Sequence, residues 1–370
     1  LVAMNLQKLN DTSLSLAVLG MGAATIVYTF LGGMKAVIWT DVIQFFVYLV
    51  GAVVALLLMV GKIPGGWSGL WEAGAAAHKF RLFDFHFDLT QPYTFWSGLI
   101  GGLFLCTATH GADQMMVQRY LSARSQRQAA AALISSGVVV MLQFALFLTI
   151  GAALFVLYEH TGQARPAPDR AFIDFIVHNM KTGLLGLVLA AIFSAAMSTL
   201  SSSLNASASA TLNDLYRPMA PNTPEDRLLR LSKILTILWG LAQMGVALVA
   251  IRLNNKTVVE SVLEIASFTT GIVLGLFLLG ILTRAVSQKD ALLGLLIGLA
   301  AVSYAKFGPW LLPASETSSP SSLSWLYPFP GAIAWPWYAL IGSSTVFATG
   351  LISCRLRLAL NPPRNETANP

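Results

Sequence analysis

The sequence has few charged residues and almost no cysteine. Of its 370 residues only 11% are charged and 55% are hydrophobic, whereas soluble domains carry about 25% charged residues. This shortage of charge excludes an ordinary soluble globular protein. Its two cysteines, Cys106 and Cys354, are far apart and form no CxxC pair, which excludes a disulfide framework and a cysteine-based zinc site.

Signatures of catalysis are also missing from the sequence. It contains no glycine-rich phosphate-binding loop and no GxSxG nucleophile elbow, and its five histidines are scattered along the chain. We therefore do not expect an enzyme. The net charge is +6. Its basic residues are distributed between the two sides of a membrane, as described below, so we expect no nucleic-acid partner.

Long apolar runs dominate what remains. Crossing a bilayer takes about 20 apolar residues per helix, and a spanning segment must satisfy its own backbone hydrogen bonds. Alternating ten-residue strands, which are typical of membrane barrels, do not occur. We predict an all-α, polytopic membrane helix bundle with about nine transmembrane helices. The predicted spans are 13–31, 36–60, 93–112, 130–157, 183–205, 231–251, 259–283, 290–306 and 336–354.

The links between these spans carry unequal charge. Short links near residues 35, 113–128, 214–233 and 284–290, together with the C-terminus, hold an excess of Lys and Arg over Asp and Glu, whereas the opposite links are balanced. The positive-inside rule makes the basic side cytoplasmic. We therefore predict a multi-pass plasma-membrane protein embedded in the lipid bilayer. Its single transporter domain covers 1–358, and 359–370 form a short cytoplasmic tail.

The stretch 183–216 combines an apolar first half with a second half rich in hydroxyl groups. Ser194, Ser198, Ser201 and Asn205 share one helical stripe, since residues three and four apart lie on the same face. Such a stripe can allow close packing between membrane helices. It can also replace the water around a hard cation, which prefers oxygen ligands. Composition alone leaves both interpretations open.

Three stretches together resemble the sodium/solute symporter family, which includes sodium–glucose and sodium–proline symporters. The segment 28–44, YTFLGGMKAVIWTDVIQ, is similar to the family's GGxxAVxxTDxxQ pattern. The segment 113–123, DQMMVQRYLSA, is similar to its DQxxVQRxL pattern. The segment 195–216, AAMSTLSSSLNASASATLNDLY, matches a pattern of Ser/Thr, Asn and Asp-Leu-Tyr. Their order and spacing also agree with the family, and the likeness fades after about residue 285.

This resemblance implies a LeuT-like fold, in which two inverted five-helix repeats hold a site at mid-membrane. Spans one and two look like the fourth and fifth core helices of that fold, and spans three to seven look like its sixth to tenth. The first three core helices of the fold have no counterpart in this chain, so we expect the sequence to be N-terminally incomplete. The motif implies a sodium ion bound by the Ala195 carbonyl and by the Ser198 and Thr199 hydroxyls. It also implies that Asp41 lies near the sodium exit path. The alternative, which we weigh equally, is that Asp41 is a structural carboxylate at a helix end, paired with an arginine.

The solute site is expected in span three and the helix after it. Residues 106–111 are polar and glycine-interrupted, and an interrupted helix frees backbone groups that can bind a polar solute. Thr109, His110 and Gln143 are the candidate pocket residues, although a lone histidine near a span end is more often an interface residue. Where sugar symporters have a gating aromatic and a lysine, this sequence has Thr109 and Val140, which argues against a sugar.

The expected function is sodium-coupled secondary active symport of a small organic solute by alternating access. An amino acid, a monocarboxylate or a vitamin fits better than a sugar. Two alternatives stay open: a solute-sensing membrane module and a non-functional truncated transporter. The segment after Arg357 is too short for a signalling domain, which favours transport. Glu260 and Glu264, one turn apart, are expected at the outer interface.

Overall fold

The structure, a computed structural model, describes residues 11–162, 165–253, 258–311 and 331–360, and all regular secondary structure in these ranges is helical. Two short π-helical segments, Ser97–Gly101 and Thr211–Tyr216, accompany the α-helices. The α-helices are α1 Asp11–Lys62, α2 Gly66–Ala76, α3 Gly102–Gly111, α4 Gln114–Leu121, α5 Gln126–Thr161, α6 Pro168–Asn179, α7 Thr182–Ala210, α8 Arg217–Met219, α9 Glu225–Leu253, α10 Val258–Leu282, α11 Gln288–Leu311 and α12 Pro336–Leu360. The predicted all-α class is confirmed.

Seven helices in the described ranges are long and apolar enough to cross a membrane, and they match seven of the nine predicted spans. They cover Val42–Lys62, Gln126–Thr161, Thr182–Met219, Glu225–Val249, Val259–Leu282, Gln288–Pro309 and Pro336–Leu360. In none of them is more than 33% of the most apolar window buried inside the protein. Their apolar side chains therefore face outward, as expected for helices surrounded by lipid.

The other two predicted spans differ from the observed helices. A tight link is predicted from the sequence at residues 32–35, but α1 continues through these residues and is 52 residues long. Glycine lowers helix stability by about 1 kcal/mol and does not break a helix as proline does, so the two glycines there leave the helix continuous. The predicted span 93–112 is instead a five-residue π-helical segment followed by the ten residues of α3.

The first of two compact units contains residues 1–81 and 121–257. Within it α7 packs along α1, and α9 packs against both helices. Gly51 permits the close approach of α1 to α7, because a Cβ atom there would lie 3.0 Å from a methyl of Val188. Met59 of α1, Ala153 of α5 and Ile176 of α6 are fully buried in the apolar core at one end of this unit.

The second compact unit contains residues 82–120 and 258–370. Here α12 packs against α10 and α11, and α3 packs against α10. Glycines form the contact between these helices. A Cβ atom on Gly271 would lie 2.5 Å from the Cα of Ala339, and one on Gly294 would lie 2.7 Å from the carbonyl oxygen of Val346. Small residues of this kind bring membrane helices close together.

Candidate ion and solute site

Helix α7 carries the residues to which the sequence analysis assigns sodium binding. It starts after Lys181, whose backbone is extended, and runs without interruption to Ala210. The predicted span 183–205 therefore lies entirely inside one helix. Its apolar first half packs on α1 through Val188, which is 4% exposed. This packing leaves the hydroxyl-rich second half as the chemically distinctive part of the helix.

The three predicted sodium ligands lie within about one turn of α7. Ala195 and Ser198 are half-buried, and Thr199 is exposed. The Thr199 hydroxyl donates a hydrogen bond of 3.3 Å to the carbonyl oxygen of Ala195. Because a threonine hydroxyl keeps lone pairs after donating its proton, the two oxygens form adjacent donors of the kind that a hard cation prefers.

Hydroxyl groups further along α7 take part in contacts within the first unit. Ser201 is fully buried, and its hydroxyl donates a 2.9 Å hydrogen bond to the Ser198 carbonyl. Ser203 accepts a 3.0 Å hydrogen bond from the amide of Gln243 in α9. Ser203 therefore takes part in the packing of α7 against α9, which was the alternative interpretation of the hydroxyl-rich segment. Asp41 lies in α1, but its side chain is outside the described residues, so its exit-path role stays a prediction.

The solute candidates are divided between the two units. Thr109 and His110 belong to the second unit, and Gln143 belongs to the first. The Thr109 hydroxyl donates to the Leu105 carbonyl at 2.9 Å. In the first unit, the Gln143 side-chain oxygen accepts a 3.0 Å hydrogen bond from the Tyr48 hydroxyl, which joins α5 to α1. Their joint role in one pocket stays a prediction.

His110 has a tyrosine partner that the sequence did not indicate. Its Nδ1 atom lies 2.7 Å from the hydroxyl of Tyr120, ten residues later in α4. Burial raises the pKa of Tyr120 above its usual value, and the charge of Arg119 offsets part of that rise. The phenol therefore stays protonated at neutral pH and can donate its hydrogen to the imidazole. The sequence carries no signal for this contact, because the two residues are ten positions apart and lie in different helices.

The helix is interrupted just after His110, as the sequence analysis expects for this region. α3 ends at Gly111 and α4 begins at Gln114. The Asp113 carboxylate accepts a 2.8 Å hydrogen bond from the backbone N–H of Met115 and so caps the first turn of α4. Asp113 therefore serves as the N-terminal cap of α4.

Two ion pairs in the second unit join residues for which the sequence predicted no partner. Glu264 is 9% exposed and lies 3.2 Å from Lys306 Nζ of α11. At the opposite end of α11, Asp290 is 2% exposed and lies 3.0 Å from the Arg357 guanidinium of α12. The sequence does contain one indication of the first pair: Lys306 is the only charged residue between Ala291 and Leu311.

The helices and the candidate site together define the class of protein. The chain is a polytopic helical membrane protein with an oxygen-rich segment in one spanning helix. Within the described ranges, no group of three or more His, Cys, Asp or Glu side chains could hold a metal ion. The three ligands predicted on α7, Ala195, Ser198 and Thr199, offer only neutral oxygens. This donor set fits a weakly held monovalent cation better than a tightly bound transition metal.

Known proteins then place the chain in a family. The sequence model of the Sodium:solute symporter family matches residues 3–298, and the chain belongs to this family. It is 30% identical to a sodium-dependent multivitamin transporter of Oryctolagus cuniculus, covering 96% of this chain and 61% of that protein. It is also 30% identical to a sodium/sialic acid symporter of Proteus mirabilis, covering 90% of this chain and 63% of that protein. The resemblance seen in the sequence is confirmed.

A solved structure supports the fold. The substrate-bound, outward-open state of a Na⁺-coupled sialic acid symporter, whose description also mentions a novel Na⁺ site, superposes with a TM-score of 0.73 at 28% identity. The match covers 92% of this chain and 66% of that one. The expected LeuT-like fold is confirmed. The chain spans less than two thirds of the length of the two curated relatives described above.

Proposed function

We propose that the protein is a sodium-coupled symporter, which moves a small organic solute across the membrane by alternating access. The observation that carries this proposal is the adjacency of the Ala195 carbonyl and the Thr199 hydroxyl, with Ser198 beside them, in a chain of the Sodium:solute symporter family. Sodium is a hard cation and binds oxygen ligands. In this proposal it is a transported substrate that these three residues hold, and Asp41 lies on its route to the cytoplasm.

One sodium ion supplies enough energy for this task. A single charge that crosses a potential of 100 mV is worth about 2.3 kcal/mol, which corresponds to roughly fiftyfold accumulation of a neutral solute. Sodium binding stabilises the outward-open state and prepares the solute site. When both substrates are bound, closure becomes favourable, and opening on the other side releases them.

The solute in this proposal is a monocarboxylate, a vitamin or an amino acid, bound by Thr109, His110 and Gln143. Relatives of this chain include the multivitamin transporter and a sodium-coupled monocarboxylate transporter of Mus musculus, which is 30% identical over 86% of this chain and 52% of that protein. A histidine held by a tyrosine donor can offer its other ring nitrogen to a carboxylate. This arrangement favours an acidic solute over a sugar.

The proposal also includes the topology and the absence of catalysis. Residues 1–358 form one transporter domain in the plasma membrane, and the C-terminal segment 359–370 lies in the cytoplasm, as the excess of basic residues on that side favours. The protein is not an enzyme and has no nucleic-acid partner.

Uptake by proteoliposomes tests the proposal directly. The purified protein is reconstituted, and labelled lactate, biotin, sialic acid, proline and glucose are offered with an inward sodium gradient or with the same gradient of potassium or choline. We expect accumulation of at least one acidic solute above equilibrium only with sodium. Equal uptake with potassium would overturn sodium coupling. Saturable, sodium-dependent binding without accumulation would instead favour the solute-sensing module.

A further inference from the structure

A pocket at one end of the first unit is separate from the ion and solute candidates. It lies between α1, α2 and α5 and has a volume of ≈ 520 Å³, within the range of about 300–1,000 Å³ found for ligand pockets. Its α2 wall consists of small residues, Gly69, Ala73 and Ala76, at helical spacing. Phe155 and Val156 of α5 form the opposite wall. The interior is therefore largely apolar.

The pocket lies where two membrane-spanning helices end. Ile63, which lines it, directly follows the span Val42–Lys62, and His160 belongs to the last turn of the span Gln126–Thr161. On another face of α2, Trp67 and Trp71 are 54% and 64% exposed. Exposed tryptophans at the ends of spans are typical of the headgroup level of a bilayer. The pocket is thus at the depth of lipid headgroups.

Two cations lie over the ring of Phe155, a residue of the pocket wall, and the polar side chains that line the pocket itself are Glu159 and His160. The Lys79 Nζ atom is 4.2 Å from the centroid of the Phe155 ring, and the Arg165 guanidinium carbon is 4.3 Å from the same centroid. Arg165 also pairs with Glu159, but both side chains of that pair are more than half exposed, so the pair is weak. No carboxylate in the described part of the chain pairs with Lys79. The local charge is therefore positive even with Glu159 present.

We propose that this pocket binds the headgroup of an anionic phospholipid. The phosphate would bind to Lys79 and Arg165, with Arg165 exchanging its contact with Glu159 for the stronger contact with the lipid. The glycerol region would lie against the apolar walls of Ala73, Ala76 and Val156. Apolar lining, paired cations and headgroup depth occur together here, and an anionic lipid satisfies all three.

Native mass spectrometry of the protein from mixed vesicles of phosphatidylglycerol and phosphatidylcholine tests the proposal. We expect the wild-type protein to retain phosphatidylglycerol selectively. The double substitution Lys79→Gln and Arg165→Gln should weaken this binding by about thirtyfold, since each basic side chain near an anionic surface contributes about fivefold. Ala76→Leu keeps both cations but fills the pocket, and it should also abolish retention.

Arg170→Gln is the matched control, because Arg170 is an exposed cation of the same unit and is not one of the two cations over Phe155. Unchanged phosphatidylglycerol retention in both pocket variants would overturn the proposal, and so would an equal loss in Arg170→Gln. Octanoate serves as a probe for a free organic anion. Binding of octanoate without retention of lipid would also overturn it. Because the readout is bound lipid mass, failure here leaves the proposed symport untouched.

Discussion

The hydroxyl of Thr199 lies 3.3 Å from the carbonyl oxygen of Ala195, one helical turn earlier in α7. This contact brings together two of the three oxygens that the family motif implies for sodium. The hydroxyl donates its only proton to the carbonyl, so its lone pairs point away from that bond and stay available. Threonines elsewhere in the protein, such as Thr269, make the same bond to the carbonyl four residues earlier, so the sodium role of Thr199 stays a prediction.

Removing the Thr199 hydroxyl tests that pair. Thr199→Val keeps the shape of the side chain but loses one ligand, and we expect the sodium concentration for half-maximal uptake to rise by about tenfold, because an interaction with a charged group is worth about 1.5–3 kcal/mol. Thr199→Ser should stay near wild type. Thr269→Val is the control, since Thr269 is likewise exposed in a spanning helix and bonds the carbonyl four residues earlier. A similar change in both valine variants would contradict the sodium role.

The buried Glu264–Lys306 pair should show strong non-additivity. Lys306→Met leaves the Glu264 charge without this partner, and we expect it to lower the unfolding free energy by about 2 kcal/mol. This is less than the cost of breaking a fully buried pair, because 28% of the Lys306 side chain is exposed. Adding Glu264→Gln should recover part of the loss. Thermal unfolding in detergent measures both steps, and an additive loss in the double variant would argue against the pair.

The Asp290 cluster joins the start of α11 to the end of α12. Asp290 accepts hydrogen bonds from the Ser353 hydroxyl at 2.7 Å, from the Ser287 backbone N–H at 2.9 Å and from Arg357 Nε at 3.1 Å. Arg357→Gln removes the only guanidinium among these partners, so we expect the melting temperature to fall by several degrees. Arg355→Gln, on an exposed residue of the same helix, should leave it unchanged. Equal melting temperatures for the two variants would contradict a clamp at this point.

Two glycines of α10 should respond to alanine in opposite directions. At Gly271 a Cβ atom would lie 2.5 Å from the Cα of Ala339, whereas at Gly280 nothing lies within 4 Å. Gly271→Ala should therefore destabilise the protein by about 1–3 kcal/mol through overpacking. Gly280→Ala should be neutral or stabilise it by up to about 1 kcal/mol, since alanine is the better helix former. Thermal unfolding of the two variants compares them directly, and destabilisation by both would refute the packing argument.

The parts of the fold that could be predicted are those that depend on local chemistry. Apolar length predicts seven of the spans, because a helix in lipid needs only its own backbone bonds. The continuity of α1 through residues 32–35 could not be predicted, because glycine permits both a turn and a helix. The break at Gly111 was expected from its polar, glycine-containing surroundings.

For the candidate site, the sequence located residues but not their partners. The predicted span 183–205 lies in α7 together with Ser198 and Thr199, and their sodium role stays a prediction. The Tyr48–Gln143 hydrogen bond joins residues 95 positions apart, and only the packing of α5 on α1 reveals it. The burial of Glu264 likewise depends on Lys306 of the next helix.

The glycine contacts of α12 with α10 and with α11 have a mechanical consequence when they are taken together with the two ion pairs of α11. Backbones that touch at Gly271 and Gly294 cannot slide past each other without collision, and the charges near both ends of α11 resist separation. These three helices are therefore held together by backbone contact as well as by charge. We expect α10, α11 and α12 to move as one body in any rearrangement of the second unit.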